Sequence, residues 1–167
     1  MRRIAVMLIS VLFLFVFSGC VHQELKVEDI GFVFRCKADI VCDQQKVTCE
    51  LRRTAPGIES VRIISGDLNG LMYDWSGENF SVSYSGLIAK SDDCVLPKTS
   101  FISILKQTLD YAAKSGTLTR THGNEFSGNL NDSDFTITTD GKGQIQKISI
   151  PHRGITADLY NYTDQGL

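Results

Sequence analysis

The chain has 167 residues, with 17 Lys or Arg against 19 Asp or Glu and an apolar fraction of 43%. That length suits one globular domain with a real core, and a formal charge of −2 with no basic run beyond Arg52-Arg53 speaks against a nucleic-acid partner. His22, His122 and His152 are scattered, and no GxSxG elbow, HExxH pair or phosphate-cradling glycine loop occurs. No catalytic constellation and no cofactor are therefore expected, and the chain reads as a non-enzyme.

Met1 to Cys20 opens with Arg2 and Arg3, continues through fourteen uncharged, mostly apolar residues from Ile4 to Phe17, and ends in Ser18-Gly19-Cys20. Charge, apolar stretch and small residues in that order are the layout of an export signal. As a helix the stretch would reach only about 21 Å, short of the roughly 30 Å hydrocarbon core. The tail of the segment resembles the lipobox of bacterial lipoproteins, with Phe17 where Leu is usual. That resemblance implies lipidation of Cys20 by acyl chains such as palmitate, and anchorage to the outer face of a bacterial cell membrane. The expected division is a signal peptide over 1–19, a lipidated polar tether over 20–30 and a single domain over 31–167.

With Cys20 set aside, Cys36, Cys42, Cys49 and Cys94 remain, an even number in an exported chain. Three pairings are open, free thiols compete with all of them, and the C-x5-C-x6-C spacing does not suit a metal site. From Gly31 the period is two: Phe32, Phe34, Cys36, Ala38 and Ile40 share one face, and Val47, Cys49 and Leu51 repeat the pattern. A turn centred on Cys42-Asp43 would set Cys36 opposite Cys49 for a bridge and leave Cys42 for Cys94.

Ala55-Pro56-Gly57 marks a turn before a strand at Val61 to Ile64. Two further strands flank Gly77-Glu78, so that Trp75 faces Phe80, Tyr73 faces Val82 and Leu71 faces Tyr84. This aromatic row is either core or the wall of a ligand groove. A short strand follows at Leu87 to Lys90. Phe101, Ile104, Leu105, Leu109 and Ala112 then recur at helical spacing, with Lys106, Gln107, Asp110 and Lys114 on the other side. Thr99 or Ser100 caps the start of this helix and Ser115-Gly116 ends it. Strands are expected again over Thr117 to Phe126, Phe135 to Thr139, Ile145 to Ile150 and Ile155 to Tyr162, with Ser127-Gly128 among the separators.

Asn129, Asn131, Ser133 and Asp140 fall at calcium-loop positions, but Asp134 stands where the loop needs glycine and no closing Glu is present, so a solvated turn is the better account. The three Asn-x-Ser/Thr matches at Asn79, Asn131 and Asn161 are short enough to be chance beside a lipobox. Short connections demand antiparallel pairing, and a sheet of about ten strands at this length curls. The expected fold is α+β, a strongly curved antiparallel sheet, or incomplete barrel, wrapping one main α-helix.

The order of Pro56-Gly57, Val61 to Ile64, Leu68 to Trp75, Phe80 to Tyr84, the helix and the Gly143 to Tyr162 hairpin resembles the lipoprotein-carrier superfamily of half-barrels. A narrower resemblance is to lipoproteins of spore-forming bacteria that act in germination by stabilising a cortex-lytic amidase. The first implies a membrane-tethered module that binds a lipid or other apolar ligand, with Phe32, Phe34, Leu71, Tyr73, Trp75, Phe80, Val82 and Tyr84 as candidate lining. The second implies an interaction protein that docks an envelope or spore-cortex partner.

Overall fold

The computed structural model describes residues 25–93, 96–97 and 100–163. The expected signal peptide, Cys20 and Cys94 lie outside the described residues. Eleven strands form one antiparallel sheet: β1 (Phe34–Cys42), β2 (Gln45–Ala55), β3 (Ile58–Ile63), β4 (Met72–Ser76), β5 (Phe80–Tyr84), β6 (Leu87–Ser91), β7 (Thr119–His122), β8 (Glu125–Leu130), β9 (Ser133–Thr139), β10 (Ile145–Ile150) and β11 (Ile155–Tyr160). Their order across the sheet is β6-β5-β4-β3-β2-β1-β11-β10-β9-β8-β7, so β1 and β11 meet in the middle while β6 and β7 form the two edges. The helix α1 (Phe101–Ala112) belongs to the connection between those edges and packs in the concavity. The α+β incomplete barrel expected from the periodicity is the fold observed.

Alternation builds the core. Phe34, Cys36, Ala38 and Ile40 on β1 point inward with Cys49 and Leu51 on β2 and with Ile155, Ala157 and Leu159 on β11, all nearly inaccessible to solvent. Into this concavity α1 inserts Ile102, Leu105, Leu109 and Ala112. Each of the Ile and Leu side chains contributes about 1.5–3 kcal/mol when fully buried, so the helix and the sheet depend on each other. Ser100 caps α1, its hydroxyl accepting a hydrogen bond from the Ser103 N–H at 3.2 Å.

The strand directions define two ends. The proximal end, where β1 begins, carries the Pro56-Gly57 turn, the turn around Gly77 and the Asp140–Gly143 turn. The distal end carries the β1–β2, β5–β6 and β10–β11 connections.

Several expectations need correcting. The β1–β2 turn is Asp43-Gln44, both with positive φ (47° and 70°), the pair that a two-residue hairpin needs. Moving the turn one residue from Cys42-Asp43 keeps the cysteines on the concave face but sets Cys36 opposite Leu51 and Cys49 opposite Ala38. The expected Cys36–Cys49 bridge is absent, and Cys36, Cys42 and Cys49 are free thiols. The stretch expected as one strand from Thr117 to Phe126 folds back at Gly123, φ 53°, giving β7 and β8. Ser127-Gly128 is no separator but part of β8. A Cβ on Gly128 would lie 2.4 Å from the Phe135 ring, so glycine is there to admit that ring, and the turn falls at Asn131-Asp132 instead.

The segment read as the end of a polar tether also packs. Leu25 and Ile30 are buried, and the Gly31 N–H donates to the Gly143 carbonyl at 2.9 Å. Gly143 has φ 83°, and a Cβ there would stand 2.0 Å from the Asp29 carbonyl oxygen. Only glycine lets this strap lie so close.

Candidate apolar-ligand site

The expected lining residues do not form one wall. Phe34, Trp75 and Phe80 are buried in the core, while Phe32, Tyr73 and Val82 are half-buried against it. The β4–β5 register is the expected one, with Trp75 opposite Phe80 and Tyr73 opposite Val82. Trp75 and Phe80 have ring centroids 5.0 Å apart, and Tyr73 stacks at 6.5 Å from Trp75. Leu71 lies just before β4, where its carbonyl accepts from the Ile63 N–H at 2.8 Å. Tyr84 is 39% exposed and donates its hydroxyl to the Asp67 carbonyl at 3.1 Å. Phe34 packs separately, edge-on to Tyr162 at 6.0 Å.

What holds α1 over this cluster is a buried ion network. Arg53 on β2 stands directly opposite Glu59 on β3 and is 1% exposed. Its Nη1 donates to Glu59 Oε2 at 2.9 Å and lies 2.7 Å from Asp110 Oδ1 on the helix. Asp110 also accepts from the Gly57 N–H at 2.8 Å and from Lys106 Nζ at 2.5 Å, and Lys106 sits 5.8 Å from the centre of the Trp75 ring. Lys106 and Asp110, expected on the solvent side of the helix, are turned toward the β2–β3 turn.

Burial pushes the Glu59 carboxyl up to about 6, against the pull of Arg53. Burial also works against the Asp110 carboxylate, but Lys106, the Gly57 N–H and Arg53 together hold its pKa below the usual range. On the concave face, burial raises the Cys36 and Cys49 thiols to about 12, which leaves them protonated and unreactive at neutral pH.

Apolar space remains where α1 ends. At the distal end a cavity of about 240 Å³ is lined by Ile40, Val47 and Phe101, with Cys42, Asp43 and Gln45 around its mouth. At the proximal end a groove of about 500 Å³ runs between the strap and the helix C-terminus, walled by Val27, Ile30, Phe32, Ala112 and Leu118. Among these only Phe32 was singled out from the sequence as a lining residue. The rest could have been sought from the two ends of the helix's apolar stripe, which a curved sheet leaves least covered. Among the described residues no group of three His, Cys, Asp or Glu is placed to hold a metal ion, and no helix is long and apolar enough to cross a membrane.

The molecule is thus an open antiparallel half-barrel clamped onto one helix, with apolar recesses at both ends of that helix. The sequence matches no protein-family model and no curated protein. Among solved structures, an uncharacterized conserved protein from Thermus thermophilus is similar with a TM-score of 0.48 and 6% identity, over 84% of this chain and 83% of that one. A LolA superfamily protein from Nitrosomonas europaea is similar with a TM-score of 0.46 and 8% identity, over 80% of this chain and 86% of that one.

Proposed function

We propose that this protein is a non-enzymatic binding module that takes a lipid or another apolar ligand into its half-barrel. The observation that carries this reading is the distal recess, a cavity left at the start of α1 between the half-buried Val47 and Phe101, with the buried Ile40 beneath them. Concave, mostly apolar recesses with a few polar groups at the rim are where small ligands bind. Trp75 and Phe80 of the row expected as the lining are buried in the core, and Lys106 of α1 lies over the Trp75 ring. In this reading the leader exports the chain and acylation of Cys20 tethers it to the outer face of the cell membrane.

Extraction of the purified protein with organic solvent, followed by mass spectrometry of the extract, tests the reading. A stoichiometric apolar molecule is expected, and an extract empty even after incubation with fatty acid would count against it.

A second reading has its own support. The edge strand β6 is exposed along Leu87 to Lys90, with Leu87 77% and Ile88 65% accessible, and Tyr84 and Leu68 are exposed at the same distal end. Unpaired strand edges and clustered apolar side chains are features of docking surfaces. An interaction protein that stabilises an envelope or spore-cortex enzyme would use this edge, and an empty extract together with loss of partner binding in Ile88→Lys would favour it.

A further inference from the structure

The proximal groove differs from the distal recess in one respect: the chain's own N-terminal segment forms one of its walls. Val27 and Ile30 of that segment line it together with Ala112 and Leu118, and so do the charged Glu28 and Lys114. The strap is held in register by the Gly31 to Gly143 hydrogen bond and by the close approach of Asp29 to Gly143. The groove is therefore a fixed feature of the fold. Leu25, the first described residue, is buried in the core. Cys20 precedes it by five residues, a span of at most about 18 Å even when fully extended. That span puts the groove within reach of a group carried on Cys20.

We propose that the groove holds one of the acyl chains attached to Cys20, so that part of the protein's own lipid lies against Val27, Ile30, Phe32 and Leu118 and the remaining chains enter the bilayer. This rests on the reading of Cys20 as a lipidated residue. The groove's volume, about 500 Å³, is of the order of one long fatty-acyl chain, and its mixed lining joins Val27, Ile30, Phe32 and Leu118 to the polar Glu28, Lys114 and Ser115. A cysteine acylated on its amine as well as carrying a diacylglycerol bears three chains and has one to spare, because two anchoring signals suffice for stable attachment. The proposal sets the orientation as well: the proximal end lies against the membrane, and the distal recess with the Leu87-Ile88 edge faces away from it.

The test uses the full precursor produced in a bacterial host that processes lipoproteins, with benzoylphenylalanine placed at Lys114 in the groove lining or, as a control, at Leu87 on the distal edge. The purified proteins are reconstituted in palmitoyl-oleoyl phosphatidylcholine vesicles, irradiated, and read by intact-mass and peptide mass spectrometry. The expected result is an acylated mature mass and a cross-link from position 114 to the acylated Cys20 peptide of the same molecule. That cross-link should be absent from position 87 and lost when Ala113→Trp fills the groove. An acylated mass with cross-links only to vesicle phospholipid, or with none, overturns the seating of the chain while leaving lipidation intact. A mature mass without acyl groups overturns the lipidation reading itself, and the proposal with it.

Discussion

Arg53 is the side chain on which the interior electrostatics turn, since its guanidinium lies between Glu59 on the neighbouring strand and Asp110 on the helix. Removing one partner of a buried ion group leaves the others uncompensated, which typically costs about 3–5 kcal/mol. Arg53→Ala is expected to lower unfolding stability by that order in urea titrations. A loss below about 1 kcal/mol, the range of surface pairs, would show that the network is only peripheral. Glu59 gives the pH dependence its sign. Its folded pKa of about 6 lies above its ordinary value of 4.5, so the folded state binds the proton more tightly. The stability this supplies is fully present below pH 4.5 and lost as pH rises through 6. A shift of this size corresponds to about 2 kcal/mol. Asp110, shifted the other way, loses its contribution only when pH falls below the usual carboxylate range. Between pH 7 and pH 5 the wild type should therefore gain stability, and Glu59→Gln should flatten that slope. A slope unchanged in the variant would assign the effect to another group.

At the scale of elements, the edge strand and the helix make different demands. Leu87 and Ile88 contribute little to the core, so Ile88→Lys should alter unfolding stability by no more than about 0.5 kcal/mol while reducing self-association in concentrated solution. A large loss of stability on thermal melting would mean that β6 packs more tightly than its exposure indicates. How much of this was legible follows the range of the forces. Trp75 opposite Phe80 was readable because Gly77, with φ 93°, fixes a turn between two alternating runs. The β1–β2 turn was misplaced by one residue because no glycine marks it: Cys42-Asp43 and Asp43-Gln44 look alike until the backbone chooses the second. The limits of α1 were legible from its apolar stripe and from Ser100. Its clamp was not, since Asp110 meets the Gly57 N–H across fifty-three residues of sequence and such pairings leave no local pattern. The strap escaped notice for a related reason. Leu25, Val27 and Ile30 are spaced among charged residues, and Gly143, far along the chain, makes room for the backbone at Asp29 and Ile30.

For the molecule as a whole, the half-barrel poses one question: whether a sheet that has filled its concavity with its own helix still has room for a guest. Of the aromatic row first suggested as the lining, Trp75 and Phe80 are buried with Lys106 of α1 over the Trp75 ring, and cavities remain at the two ends of the helix. Binding of an apolar guest at the distal end should therefore be felt by Ile40, Val47 and Phe101 before it is felt by Trp75. The decisive measurement is an NMR titration of the methyl-labelled domain with carbon-13-labelled octanoate, a chain short enough for a recess of about 240 Å³, read through nuclear Overhauser contacts between ligand and protein. Contacts to the Ile40 and Val47 methyls and to the Phe101 ring are the predicted result; saturation without any contact to these three residues, or no binding at all, would contradict it.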